Sequence, residues 1–354
     1  MTNTCSTHGI SNLSRRYTGS GFDRRRLLAG LAAGAIGVTA GRSAQAASES
    51  VSIALDWYPN SNHAGLYWAQ SKGLFTDAGL DIDIHAPADP ATVLQTVATD
   101  RDTFGISYEP DLLLARDQGL PVVAVASIVP RPLLGVMSLK SAGITRPSDL
   151  RGKTVGYPGI ASQQAFLTTM LAADGSDIDQ ITLNDVEFNL VPSVISGQAA
   201  AAMGAYWTHE TILAENQGYP VDLMRVEDWG VPLYDELVLV ASEKTVGLRG
   251  DMVMNVVTAM IQGYRAVAAD HDAALAILQA ASPEIDMTVE IKALPLLADI
   301  WATAGDGLGR LRISLWDAFG QWMQTSGLVS TAPDSSAALF GPMVTAENGT
   351  PVTT

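Results

Sequence analysis

Short apolar segments alternate with amphipathic ones between residues 51 and 128. The run 122–128 is apolar throughout, as in a strand buried on both faces, whereas 80–85 alternates apolar and polar residues. Regular alternation of strand and helix constrains the fold strongly, because it builds a largely parallel sheet with helices on both faces. A doubly wound α/β protein is therefore predicted. The predicted strands are 51–55, 80–85, 103–107 and 122–128, and the predicted helices are 65–72, 91–99 and 111–118.

A second α/β unit is predicted to begin after Leu139 and to end near 241. One lobe inserted within another, crossed by two strands, is the plan of a type II periplasmic binding protein: two doubly wound lobes joined by a two-strand hinge. We expect lobe 1 at 47–139 plus 242–345, lobe 2 at 140–241 and a flexible tail at 346–354. Further predicted strands are 185–188, 199–204 and 237–241, and further predicted helices are 163–173, 251–280, 291–303 and 314–326.

Residues 1–46 have the pattern of a secretory signal. Arg24-Arg25-Arg26 precedes an apolar stretch that ends at Ala40, and 43–46 is a small-x-small cleavage pattern. The adjacent arginines indicate the twin-arginine route. The apolar stretch is too short for a bilayer-spanning helix, so we expect a soluble, exported, periplasmic protein without a membrane anchor. The single cysteine, Cys5, would leave with the signal, so no disulfide or thiolate site is predicted.

The remaining chain is strongly acidic. The whole chain has 21 Lys and Arg and 37 Asp and Glu, and residues 1–46 hold six Arg and one Asp, which leaves 15 basic and 36 acidic residues and a net charge of −21 (15 − 36). Such a surface repels phosphate backbones and anionic lipids. Nucleic acid and membrane partners are therefore not expected.

The first predicted strand leads into a loop rich in aromatic, amide and imidazole groups. This loop, at the carboxyl end of a first strand, contains Trp57, Tyr58, Asn60, Asn62 and His63. That position and these side chains suit a flat polar ligand in an α/β crevice. No catalytic nucleophile stands there, and no second histidine or carboxylate lies at metal-ligand spacing. We therefore predict a binding site with no catalytic residue, no cofactor and no metal.

Five motifs occur in family order along the chain. Together they resemble the thiamine-pyrimidine (NMT1/THI5-like) solute-binding proteins of ABC importers, over about residues 52–246. The motifs are Leu-Asp-Trp-Tyr-Pro-Asn at 55–60, Gly-Ile-Ser-Tyr-Glu-Pro-Asp at 105–111, Gly-Lys-Thr-Val-Gly-Tyr-Pro-Gly at 152–159, Gly-Ala-Tyr-Trp-Thr-His-Glu at 204–210 and Gly-Val-Pro-Leu-Tyr-Asp-Glu-Leu at 230–237.

The resemblance implies the ligand N-formyl-4-amino-5-aminomethyl-2-methylpyrimidine, held near Trp57 and Tyr206 with Glu210 among its polar partners. It also implies an ABC permease and its ATPase as partners of a monomeric receptor. Trp207 falls where relatives vary, and its role is left open. The further candidate binding residues are Asn60, His63, Tyr108, Tyr157, Tyr234, Asp235 and Glu236.

An aminopyrimidine presents an N–H donor beside a ring nitrogen on a planar apolar body. A carboxylate accepts from the amine, and aromatic rings stack on the faces. If the strand 199–204 turns directly into a helix, Tyr206 and Glu210 share a face near its first turn. The alternative interpretation is that Glu210 only caps its helix and that Tyr206 is part of the core.

Three other functions stay open. A receptor for another flat heteroaromatic such as riboflavin would use the same stacking side chains. A receptor for a sulfonate, taurine or nitrate would need Arg, Lys or free helix N-termini, whereas the motifs offer mainly carboxylates. A pyrimidine-forming enzyme of the same superfamily has a lysine about where Ser107 stands, a histidine about where Asp111 stands and a cysteine cluster near 230–236. Without those groups no Schiff base forms, so a non-enzymatic protein is expected.

Overall fold

The computed structural model describes residues 48–345. The signal predicted at 1–46 and the tail predicted at 346–354 lie outside these residues. The strands are β1 (Glu49–Ala54), β2 (Leu80–His85), β3 (Phe104–Ser107), β4 (Val122–Val129), β5 (Leu134–Leu139), β6 (Thr154–Tyr157), β7 (Thr182–Asp185), β8 (Ala201–Tyr206), β9 (Val221–Arg225), β10 (Leu237–Ser242), β11 (Leu311–Arg312) and β12 (Val344–Thr345).

Helices follow most of the strands, as the alternation of segments predicts. The helices are α1 (Ala64–Ser71), α2 (Leu74–Asp77), α3 (Val93–Ala98), α4 (Glu109–Asp117), α5 (Ala161–Ala173), α6 (Leu190–Ile195), α7 (Glu210–Asn216), α8 (Glu243–Leu248), α9 (Gly250–Ala269), α10 (His271–Ala281), α11 (Met287–Ala304), α12 (Ile313–Thr325) and α13 (Ser335–Ala338).

Two five-stranded sheets organise the chain, and each defines one lobe. The first lobe has the strand order β2-β1-β3-β10-β4, and the second has β7-β6-β8-β5-β9. In the first sheet, β1 pairs in parallel with β2 and β3. In the second sheet, β6 pairs in parallel with β7 and β8. The antiparallel strand in each sheet, β10 in the first and β5 in the second, is the one that arrives from the other lobe. The two sheets therefore share one plan.

The chain crosses between the lobes earlier than the sequence-based division places it. Strand β5 pairs with β8 and β9, so 134–139 belongs to the second sheet. The first crossing segment is 130–133 and the second is 226–236. We propose to divide the lobes at these segments instead of at 139 and 241.

Two predicted elements differ from the observed ones for local reasons. The predicted strand 185–188 lies instead at 182–185, because its pairing with β6 ends where Tyr157 faces Asp185. The predicted helix 251–280 is two helices that break at Asp270. This residue leaves the helical conformation (φ −146°, ψ 86°), and its carboxylate accepts from the N–H of Ala273 to cap α10.

Candidate functional site

An interlobe cavity lies between the facing edges of the two lobes, with about 370 Å³ of empty space when the part open to solvent is included. Its walls come from residues that follow β1, β3 and β6, from the end of β8 and from the turn after it. The carboxyl ends of strands from both sheets therefore meet there, as at ligand sites of doubly wound folds. The lining residues are Asp56, Trp57, Asn60, Asn62 and Tyr108 from the first lobe and Pro158, Ile160, Gln163, Gly204, Tyr206, His209 and Glu210 from the second.

Half of the predicted binding residues line this cavity, and the other half do not. The structure brings together Trp57, Asn60, Tyr108, Tyr206 and Glu210. It places His63, Tyr157, Tyr234, Asp235 and Glu236 outside the lining, each for a reason that its contacts give.

His63 holds the loop after β1 in place through buried hydrogen bonds. Its side chain is buried; its Nδ1 accepts from the N–H of Asn60 at 3.2 Å, and its Nε2 lies 2.9 Å from Asp56 Oδ1. These contacts assign the tautomer with the proton on Nε2. The amide of Asn60 also caps the turn, since its Oδ1 accepts from the N–H of Asn62 at 2.8 Å. His63 therefore supports the wall of the cavity and does not itself line it.

Asp56 is a lining carboxylate that was not among the predicted site residues. Its Oδ1 faces His63, and its Oδ2 accepts from the hydroxyl of Tyr108 at 3.0 Å. Burial, reinforced by this carboxylate, raises the pKa of Tyr108 well above its ordinary value, so the phenol stays protonated and donates. The only sequence signal for Asp56 is its position between Leu55 and Trp57 in the first motif.

Tyr206 and Glu210 meet at the cavity, although not on one helix. Strand β8 continues to Tyr206, and Glu210 is the first residue of α7, so the predicted shared helix face is wrong. Glu210 Oε2 accepts from the N–H of Tyr206 at 2.9 Å. Burial raises the pKa of Glu210 to about 7, against the effect of this hydrogen bond. The carboxyl group lies in the first turn of α7, as predicted, and also faces the cavity.

Glu236 receives three hydrogen bonds at the crossing segments. The hydroxyl of Tyr206 donates to its Oε1 at 3.1 Å, and the hydroxyl of Tyr234 and the N–H of Leu133 donate to its Oε2 at 2.9 and 2.6 Å. Burial raises its pKa to about 7. Glu236 and Tyr234 therefore join both crossings to the end of β8 and lie behind the cavity.

Asp235 and Tyr157 also make structural contacts and do not line the cavity. Asp235 accepts from the indole N–H of Trp316 at 2.9 Å and from Arg312 at 3.4 Å, because residues before β10 belong to the second crossing segment and face the helices of the first lobe. Tyr157 is the last residue of β6 and packs, half-buried, against the apolar core. Its neighbour Pro158 lines the cavity instead.

His209 is a lining residue that the sequence did not single out. Its Nε2 lies 3.1 Å from the hydroxyl of Tyr58, and its Nδ1 lies 3.6 Å from Glu290 Oε1. Burial lowers the pKa of His209, so the ring is neutral at neutral pH and accepts from Tyr58. Because Tyr58 and Glu290 belong to the first lobe and His209 to the second, this contact also joins the lobes.

Three buried polar atoms of lining residues have no hydrogen-bond partner: Trp57 Nε1, Asn62 Oδ1 and Gln163 Oε1. A buried polar atom without a partner costs about 1–3 kcal/mol. A ligand that supplied two donors and one acceptor would relieve all three. Asn62 lies in the loop described from the sequence but was not among the predicted binding residues. No feature of the sequence pointed to Gln163.

The cavity contains carboxylates but no Arg or Lys side chain among its lining residues. Two guanidinium groups lie instead beside Trp207: those of Arg225 and Arg131 are 4.7 and 5.9 Å from its ring centroid. Trp207 itself is half-buried, does not line the cavity and stacks with these two cations at the hinge.

Contacts on two sides of the cavity hold the lobes together. Trp57 of the first lobe packs against Phe188 of the second with ring centroids 4.5 Å apart. The hydroxyl and N–H of Ser162, at the start of α5, both donate to the carboxylate of Asp111 on α4. The structure therefore shows the lobes closed on each other.

Known proteins similar to this chain fall into one family and one fold. The model of the NMT1/THI5-like family matches residues 60–274. A formylaminopyrimidine-binding protein of Halalkalibacterium halodurans is 37% identical over 281 residues, which are 78% of this chain and 85% of that protein. The riboflavin-binding protein RibY of Chloroflexus aurantiacus is 26% identical, over 85% of this chain and 88% of its own length. A pyrimidine phosphate synthase of Saccharomyces cerevisiae, THI13, is 29% identical over 49% of this chain and 52% of its own length.

Solved structures confirm the predicted fold. The alkanesulfonate-binding protein SsuA of Xanthomonas axonopodis pv. citri, bound to MOPS, superposes with a TM-score of 0.62 at 16% identity, over 84% of this chain and 98% of its own. The two-lobe α/β fold is thus that of type II periplasmic binding proteins. Within residues 48–345, no helix has both the length and the apolar content to cross a bilayer. Over the same residues, no three His, Cys, Asp or Glu side chains are grouped to hold a metal ion.

Proposed function

We propose that this chain, which belongs to the NMT1/THI5-like family, is the receptor of an ABC importer and captures a thiamine-related aminopyrimidine in the interlobe cavity. The relatives and the fold support a solute-binding role. The ligand class rests on one observation: the cavity combines aromatic rings with the carboxyl groups of Asp56 and Glu210 and has no cationic side chain in its lining.

The cavity offers aromatic surface from both lobes to a flat ring. Trp57, Tyr108 and Tyr206 supply aromatic surface for such a ring, and each favourable stacking contact adds about 1 kcal/mol to the burial of area.

Polar groups in the cavity match an amine-bearing ring and disfavour an anion. The two carboxyl groups accept hydrogen bonds from N–H donors, and Trp57 Nε1 is a free donor for a ring nitrogen or a carbonyl oxygen. A sulfonate or nitrate would instead lie beside two carboxyl groups with no lining cation to compensate.

An enzymatic function has less support. The position that the synthases fill with lysine is Ser107 here, the last residue of β3, and no lysine lines the cavity. We therefore propose a non-catalytic, monomeric receptor that hands its ligand to a permease and its ATPase. We also propose that residues 1–46 export it through the twin-arginine route and that it acts in the periplasm.

Isothermal titration calorimetry tests the ligand class. The purified protein is titrated with N-formyl-4-amino-5-aminomethyl-2-methylpyrimidine, thiamine, riboflavin, taurine and nitrate. We expect the aminopyrimidine to bind at micromolar concentration or below and the two anions not to bind. Binding of taurine or nitrate alone would overturn the assignment, as would turnover of the pyrimidine during prolonged incubation.

A further inference from the structure

We infer that the carboxamide of Gln163 reads the amine-bearing edge of the ligand ring and so sets the preference for an aminopyrimidine over a pyrimidine without the amine. This inference rests on the proposed function. Gln163 matches no motif of the family resemblance, and its role follows from its position alone.

Gln163 presents an unused polar group to the cavity. It is near the start of α5, only 4% exposed, and its Oε1 has no hydrogen-bond partner. Its neighbour Gln164 is exposed on the other side of the same helix. Burying a polar side chain without a hydrogen-bond partner costs free energy. A ligand in the adjacent cavity can relieve this cost by supplying the missing partner.

Gly204 makes the room for this carboxamide. Strand β8 has an irregularity at this point: Gly135 pairs with Ala205 and Val136 pairs with Met203, so Gly204 is the extra residue of a β-bulge. Its φ is +104°, a conformation that side chains rarely adopt, and a Cβ added there would lie 2.4 Å from Gln163 Oε1. The carboxamide therefore rests directly against the backbone of the bulge.

Gln163 and Glu210 converge on the same end of β8. The Gln163 carboxamide contacts Gly204, and the Glu210 carboxyl group accepts from the N–H of Tyr206. The remaining unpartnered amide oxygen, that of Asn62, lies in the first lobe with Trp57. A ring amine that enters between Gln163 and Glu210 can donate one hydrogen to each, whereas Asn62 and Trp57 remain available to other substituents.

A carboxamide is the side-chain group that fits this edge. The aminopyrimidine edge has an N–H donor next to a ring nitrogen acceptor, and a carboxamide supplies the matching acceptor and donor in one plane. Glutamine and asparagine recognise adenine in the same bidentate manner. A carboxylate in place of Gln163 could only accept, so it would leave the neutral ring nitrogen without a donor.

Paired ligands and paired variants test this inference. Wild type, Gln163→Met and the matched control Gln164→Met are titrated with 4-amino-5-hydroxymethyl-2-methylpyrimidine and with the same compound lacking the amine. We expect wild type and Gln164→Met to prefer the amine by about tenfold or more. Gln163→Met should lose most of that preference and keep only the part due to Glu210, while its melting temperature stays near that of the wild type.

Undiminished preference in Gln163→Met would overturn the role of Gln163 and leave the proposed function standing. Binding of neither pyrimidine by wild type would overturn both. Gln163→Glu provides a second measurement. Because its carboxylate pairs with the protonated ring, its affinity relative to wild type should rise as the pH falls below neutrality. An unchanged ratio across pH would contradict the inference.

Discussion

At the scale of single residues, Glu210 combines burial with a raised pKa of its carboxyl group. It is buried against the end of β8, and burial raises its pKa to about 7. Both protonation states are therefore present near neutral pH. The ionised carboxylate accepts a hydrogen bond from a ligand amine more strongly than the protonated group does, so ligand binding favours loss of this proton.

We predict that the affinity for an aminopyrimidine rises roughly tenfold between pH 6 and pH 8, because a group with a pKa near 7 becomes ionised over this interval. Glu210→Gln should flatten this profile and bind about tenfold more weakly at pH 8. Calorimetry across the pH range measures both effects. A slope that persists in Glu210→Gln would assign the titration to Glu236, whose pKa is also raised to about 7.

Single residues also show how much of the candidate site could be predicted from the sequence. Trp57 and Glu210 could be predicted because they stand in motifs at the ends of strands. Gln163 and Gln164 could not be distinguished, since a glutamine on an amphipathic helix is usually exposed and only the packing of α5 on the bulge buries the first of them. The sequence could not show that Glu236 lies behind the cavity, because its position depends on where the chain crosses between the lobes, which is a tertiary property.

At the scale of elements, the bulge in β8 determines which side chains reach the cavity. The extra residue Gly204 interrupts the regular alternation before Tyr206, and it leaves space for Gln163. Neither the bulge nor the end of β8 was visible in the apolar pattern of 199–204. One of the two crossing strands was expected near 139, but the bounds of β5 were not predicted for a similar reason, because 134–139 is a short apolar run without alternation.

We predict that Gly204→Ala weakens aminopyrimidine binding by more than tenfold, since the new methyl group would displace Gln163. Gly197→Ala is the control: its φ is also positive, at +77°, but no atom lies within 4 Å of the added carbon. Each variant should lose about 1–2 kcal/mol of folding stability from strain. Equal affinities of the two variants in calorimetry would contradict this prediction.

At the scale of the whole molecule, the closed arrangement depends on a few contacts away from the hinge. Ser162 donates twice to Asp111 on one side of the cavity, and Tyr58 contacts His209 on the other. Such contacts stabilise the closed state relative to an open one, so they affect how long a ligand stays.

We predict that Ser162→Ala increases the dissociation rate of the ligand about five- to tenfold, because one interlobe hydrogen bond to a carboxylate is lost. The association rate should change little. Thr168→Ala, which alters an exposed hydroxyl on the same helix, is the control. Surface plasmon resonance separates the two rates, and an unchanged dissociation rate would mean that the Asp111–Ser162 contact does not hold the lobes closed.

Buried carboxyl groups also make the stability of the unliganded protein depend on pH. The pKa values of Glu210 and Glu236 are raised from 4.5 to about 7 by burial. Their contribution is fully present below pH 4.5 and is lost as the pH rises through 7. We predict that Glu236→Gln reduces the fall in unfolding free energy between pH 5 and pH 8 by on the order of 3 kcal/mol. Urea denaturation measures this, with exposed Glu215→Gln as control; equal falls in both variants would contradict it.

The indole of Trp57 lies between the lobes, packed against Phe188 of the opposite one. Opening would expose this ring to water, whereas Trp301 and Trp316 stay within the first-lobe core in either state. Its fluorescence emission should therefore shift with every opening and closing. The protein thus carries its own optical reporter and is a ready starting point for a reagent-free biosensor.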